Sequence, residues 1–128
     1  MMARILPQAL HPRLDRNQRD GLRAGGRRAS LRAMFARTTP ADCTILWDGA
    51  PIPARRGEPL AAALLAAGIT VLRETAVGGA ARGPYCMMGA CFDCLVEVEG
   101  RPNVQACLVP VRDGLHARPQ RGAREAAR

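Results

Sequence analysis

Four of the five cysteines, Cys86, Cys91, Cys94 and Cys107, follow one another as C-x4-C-x2-C-x12-C. Thiolates are soft ligands, suited to zinc and to iron–sulfur chemistry, and their number and spacing narrow the choice. Two irons bridged by two sulfides need four thiolates converging from two sides. The chain offers three on one long, irregular loop and a fourth on a neighbouring hairpin. Gly83 and Gly89 in that loop would let backbone N–H groups approach the sulfurs. Cys94 just precedes a strand at Leu95 and Cys107 ends the return strand, so one hairpin would present both. The fifth cysteine, Cys43, stands outside the spacing and reads as a small buried hydrophobe.

The first two intervals are those of plant-type [2Fe–2S] sites, C-x4-C-x2-C followed by a distant cysteine. The candidate cofactor-binding and metal-ligating residues are therefore Cys86, Cys91, Cys94 and Cys107, and no residue is assigned a catalytic role. Structural four-cysteine zinc sites usually carry two C-x2-C knuckles, whereas this chain has one, so a zinc module is the secondary metal reading. Thioredoxin-like chemistry at Cys91 and Cys94 would want a βαβ context. A disulfide framework would imply secretion, and a Rieske centre needs two histidines, yet His11 and His116 are remote from the loop. Met87 and Met88 read as shields for the cluster rather than ligands.

The elements that must position these residues fit one small domain. The 128 residues are 48% hydrophobic, with only four aromatics, Phe35, Trp47, Tyr85 and Phe92. The longest apolar run, Leu60–Ala67, is far too short to span a bilayer, so no integral membrane segment is expected. The net charge of +8 divides into +7 over residues 1–40, −2 over 41–116 and +3 over 117–128. Basicity thus sits in the ends and not on a domain face, and no nucleic-acid partner is indicated. Residues 1–40 hold no apolar period and are expected to be a disordered Arg-rich extension, with Met34 as the candidate natural start. An Arg-rich, acid-poor start also resembles an organellar transit peptide, Arg27-Arg28 faintly resembles a twin-arginine signal that no apolar h-region follows, and a basic arm would lack interleaved aromatics. Residues 118–128 are expected to be a disordered basic tail. The domain is placed at 41–117.

Within it, Thr44–Trp47 is β-prone and Asp48-Gly49 is a hairpin turn signal. Ala50–Ala54 returns, with Pro51 and Pro53 restricting it to a sheet edge. Pro59 in a first helical turn, Glu58 at the positive end of the dipole and Gly68 at the end bracket a helix over Leu60–Ala67. Ile69–Arg73, Leu95–Val98 and Asn103–Ala106 read as strands, and Asp113-Gly114 turns the chain before Leu115–Ala117. Strands around one helix, without a repeating βαβ pattern, give the α+β class.

Several stretches together resemble one family: Trp47-Asp48-Gly49, Pro51 to Arg55, Gly57-Glu58 with the Ala/Leu helix, Arg82 to Cys94, and Asn103 to Cys107. They resemble the small ferredoxin-like [2Fe–2S] subunits of bacterial flavoprotein dehydrogenases and oxidases, of the hydrogen cyanide synthase, opine oxidase and D-hydroxyproline dehydrogenase type. The same module is similar to the N-terminal domain of sarcosine oxidase large chains. The resemblance implies a β-grasp domain, a mixed sheet with one helix across it, holding one [2Fe–2S] cluster. It implies electron relay in a cytoplasmic hetero-oligomer whose FAD sits on partner dehydrogenase subunits, not on this chain. No G-x-G-x-x-G follows a strand here, in keeping with that division. Tyr85, Met87, Met88 and Phe92 are the expected apolar docking contacts. A free-standing ferredoxin is the alternative. Family members often carry Gly directly after the first ligand, where this chain has Met87.

Overall fold

A computed structural model describes residues 37–122. The Arg-rich extension before residue 37 and the start assigned to Met34 lie outside the described residues, as does the end of the basic tail.

Alternation of apolar and polar residues builds the first hairpin. Strand β1 (Cys43–Trp47) buries Ile45 and Trp47, and β2 (Ala50–Ala54) buries Ile52 and Ala54. The two residues between them, Asp48 and Gly49, both lie at positive φ (49° and 84°), the geometry of a tight hairpin turn. Helix α1 (Leu60–Ala66) buries Leu60, Ala61, Ala63 and Leu64, and it closes through Gly68 and Ile69 amides donated to the Leu65 and Leu64 carbonyls. Two short strands follow, β3 (Arg73–Glu74) and β4 (Ala81–Arg82), which pair with each other, Arg73 also bridging to Gln120. The second hairpin is β5 (Leu95–Val98) and β6 (Arg101–Gln105), joined by Glu99 and Gly100, again at positive φ (50° and 76°). A single 3₁₀ turn, Ala106–Leu108, and a last strand, β7 (His116–Pro119), complete the order.

The main sheet runs β2-β1-β7-β5-β6, with β1 and β7 parallel and the other neighbours antiparallel. It is the expected α+β arrangement of a mixed sheet and one helix. β2, with its two prolines, is at the edge, where a missing N–H does no damage. One apolar core lies between sheet and helix and includes Ile45, Trp47, Leu60, Leu64, Leu72, Val96 and Val111. Cys94 and Cys107 belong to that same core.

The structure departs from the sequence expectations at several places. Pro59 is the N-cap of α1, not a residue of its first turn, and Glu58 does not face the helix dipole. Its carboxylate accepts from the Arg55 amide (2.9 Å) and from the Arg37 guanidinium (2.7 Å). Ile69–Arg73 is not a strand of the main sheet. Only Arg73 and Glu74 pair, and Leu72 is buried between the amide and carbonyl bonds it makes to Arg82 and Gln120. Residues 118–120 are not tail: Arg118 and Pro119 finish β7, pairing with Glu97 and Val96, and Gln120 is buried. At the other end, Arg37 is held by its ion pair, so order extends beyond 41–117 on both sides.

Candidate metal centre

The long loop between β4 and β5 carries Cys86, Cys91 and Cys94, and the 3₁₀ turn after β6 carries Cys107. Cys107 thus sits one step past the return strand rather than at its end. Two features hold that turn against the rest. Ala106 N–H donates to the Cys94 carbonyl (3.0 Å), and the free amide of Leu60 at the start of α1 donates to the Val109 carbonyl (2.8 Å). An unpaired helix donor is thereby used to dock the segment that follows the last cysteine.

The four sulfurs stand as two pairs. Cys91 N–H donates to Cys86 Sγ at 3.3 Å. The Cys94 thiol hydrogen-bonds to the Cys107 sulfur. The pairs have different surroundings. The backbone N–H groups of Met88 and Cys91, the Cys91 thiol and then the Ala90 N–H stabilise the thiolate of Cys86 and hold its pKa at about 6, well below its ordinary value. Cys94 is shifted upward, because burial disfavours its charge more strongly than the Cys107 and Ala106 amides favour it. Cys43 lies apart, at the start of β1 opposite Ala54. Its thiol is pushed up by burial and by the Asp42 carboxylate.

Among the described residues no group of three or more His, Cys, Asp and Glu side chains is gathered closely enough to hold one metal ion. A tetrahedral zinc asks for four ligands around one point. A binuclear cluster asks for two thiolates at each of two irons. Two pairs, one on the outer loop and one at the core, fit the second requirement.

The glycines work differently from the sequence expectation. A Cβ on Gly83 would lie 1.9 Å from the Thr70 carbonyl oxygen, and one on Gly89 would lie 2.8 Å from a Leu108 methyl. Both are small to let the loop pack against neighbouring segments, which brings the amides of Met88, Ala90 and Cys91 to Cys86 indirectly. Two further side chains brace the loop, and the sequence pattern did not single them out. Gln105 donates its side-chain amide to the Gly89 carbonyl (2.9 Å) and to the Cys91 carbonyl. Arg73 donates to the Phe92 carbonyl (3.2 Å) and pairs with Asp93 (3.7 Å). Both come from strands distant in sequence, so no local spacing could mark them.

Residues 41–122 match the family model described as a 2Fe-2S iron-sulfur cluster binding domain. The chain belongs to that family. Among curated relatives, the hydrogen cyanide synthase subunit HcnA of Pseudomonas aeruginosa is 41% identical over 75 residues, covering 59% of this chain and 71% of that protein. The subunit of the same name from Pseudomonas protegens is 39% identical over 77 residues, covering 59% and 70%. Among solved structures, the L-proline dehydrogenase from P. horikoshii superposes with a TM-score of 0.58 at 26% identity, covering 71% of this chain. This chain spans 18% of that one's length. A 2Fe-2S domain is thus the whole of what the described residues build.

Met87 shows why the position after the first cysteine of such a domain suits glycine. Its φ is +57°, a left-handed conformation that costs an L-residue with a side chain about 1–2 kcal/mol. Glycine has no such cost but loses about 0.5–1 kcal/mol of chain entropy on folding. Met87→Gly is therefore expected to raise stability by up to about 1 kcal/mol, a rise of roughly 4–8 °C in the melting midpoint. Thermal melts of the two cluster-loaded proteins measure it, and a lower midpoint for the glycine variant would show that Met87 packing outweighs its strain.

Proposed function

We propose that this chain is the small electron-transfer subunit of a multi-subunit, FAD-dependent dehydrogenase acting on an amine or amino acid, with Cys86, Cys91, Cys94 and Cys107 as cluster ligands. The observation that carries this reading is that the loop bearing Cys86, Cys91 and Cys94 also exposes large apolar side chains. Tyr85 is 83% exposed, Met88 73% and the neighbouring Leu108 60%, with Phe92 and Met87 also in contact with solvent. Large apolar side chains exposed along one loop suit a protein-docking face. A free-standing ferredoxin serving several partners is better served by a charged face that steers encounters.

When bound, a [2Fe–2S] cluster supplies one-electron storage. The chain's own residues supply the rest. Four thiolates would hold the irons, and amides of Met88, Ala90 and Cys91 would offset negative charge at Cys86. Substrate oxidation is assigned to the flavin of the partner, since this chain offers no nucleotide-binding fingerprint and no paired acid and base of its own. The homologous subunit names support membership of a complex. A cytoplasmic setting is part of this proposal, because four of the five cysteines are taken as cluster ligands and not as a disulfide framework. Among the described residues no helix is long and apolar enough to cross a membrane.

The test is purification of the tagged chain from its own cells, with flavin and iron measured in the product. FAD recovered in fixed ratio with iron is the expected result. Met88→Asp should weaken the complex at least tenfold, about 1.4 kcal/mol, because a charge would be buried in an apolar contact. Recovery of the iron-bearing chain alone, without flavin, would favour the free-standing ferredoxin.

A further inference from the structure

Gln105 lies opposite Leu95 in the β5–β6 ladder, next to Cys94 on one strand and two residues before Cys107 on the other. Its side chain does not turn to that pair. It reaches the other half of the site, where Nε2 donates to the carbonyls of Gly89 and Cys91. A primary amide has two N–H donors, and both are used. The amide's orientation follows from chemistry, since the reversed group would set its oxygen against two carbonyl oxygens.

Those two carbonyls flank the peptide that joins Ala90 to Cys91, and the N–H of that peptide donates to Cys86 Sγ at 3.3 Å. In a trans peptide the C=O and N–H point in opposite directions. Fixing the Gly89 carbonyl on the Gln105 side therefore aims the Ala90 N–H away from it. Fixing the Cys91 carbonyl as well leaves the intervening plane little freedom to rotate. We infer that Gln105 is a positioning residue for the cluster's electron affinity: by clamping the Gly89 and Cys91 carbonyls it keeps the amides between them directed at Cys86 Sγ. Hydrogen bonds to a ligand sulfur favour the more negative, reduced state and so raise the reduction potential. The inference rests on Cys86 and its three companions being the cluster ligands.

The experiment compares the cluster-loaded wild type with Gln105→Met, which has similar bulk and no donor, and with Ile52→Ala, a buried substitution on the edge strand β2. Midpoint potentials come from redox titration followed by electron paramagnetic resonance, and melting midpoints from the same preparations. Gln105→Met should lower the reduced-to-oxidised ratio at fixed ambient potential about tenfold, equivalent to about 59 mV for one electron. Ile52→Ala should lose stability and keep the wild-type potential. An unshifted potential in Gln105→Met, with only its melting midpoint reduced, would overturn the inference. Should Gln105→Met be isolated without its cluster, Gln105→Lys decides the matter. That variant keeps a donor of comparable reach and is expected to hold the cluster; its being equally empty overturns the proposal. A wild-type chain that binds no iron, or whose iron survives Cys86→Ser, fails the ligand reading instead.

Discussion

Single replacement of Cys86, Cys91, Cys94 or Cys107 by serine is expected to reduce iron and acid-labile sulfide to background, while Cys43→Ser retains the full amount. Loss of a group that merely orients a metal ligand costs about 10–100-fold in metal affinity. Loss of a ligand costs more, because a serine hydroxyl stays protonated and presents hard oxygen to a site suited to soft sulfur. The two pairs should fail differently. At Cys86 the serine would face Met88, Ala90 and Cys91 amides arranged for a thiolate. At Cys94 and Cys107, both within the core, the substitution also buries a hydroxyl, so stability should fall with cluster content. Cys43 begins β1 and pairs across to Ala54 in the outer hairpin, two sheet positions away from β5. Iron and sulfide assays on the five purified variants decide this. A full cluster in Cys107→Ser would exclude the four-ligand set, and an empty Cys43→Ser would bring the fifth cysteine into the site.

Chelation of the iron under reducing conditions is expected to lower the melting midpoint by roughly 10 °C or more. The loop from Gly83 to Cys94 has no regular backbone ladder, and the bonds from Gln105 and Arg73 tie it down at only a few points. A cluster joining Cys86 and Cys91 to Cys94 and Cys107 would cross-link that loop to the core. One covalent link closing a loop of comparable length contributes about 3 kcal/mol. For a domain of this size about 3 kcal/mol corresponds to roughly 12–24 °C. The remainder of the core is modest: of the aromatic side chains among the described residues, Trp47 alone is buried. Melts of holo- and apo-protein, each with all thiols reduced, make the comparison. Superimposable curves would mean that the sheet, α1 and the loop stand without the metal.

Sequence order was enough wherever a property depends on near neighbours. Asp48-Gly49 dictates its hairpin turn, because the left-handed conformation that turn requires is cheapest for Gly and for Asn or Asp, whereas in Glu99-Gly100 only the glycine is free of that cost. Pro51 and Pro53 dictate an edge strand, since neither can donate to a second neighbour. The intervals between the cysteines are those of an iron–sulfur site, because ligand spacing on a loop is itself a local property. Boundaries were less secure. Ile69–Leu72 has strand composition, yet the Ile69 amide closes the helix on Leu64 and the Leu72 amide and carbonyl are taken by Arg82 and Gln120, partners distant in sequence. Arg118 and Pro119 look like a solvated end and become sheet because Glu97 and Val96 in β5 lie beside them.

By itself, then, the sequence determined the α+β class, the two hairpins, the single helix and which thiols could act together. Only the tertiary structure decided that those thiols form two pairs, that Gly83 is small because the Thr70 carbonyl passes 1.9 Å from where its Cβ would be, and that Gln105 and Arg73 hold the loop's carbonyls. The physical reason is range. Turn geometry, strand alternation and ligand spacing are set by bonds between residues close along the chain. Loop bracing and sulfur pairing are set by groups that meet only after the fold has brought β3 and β6 to the same loop.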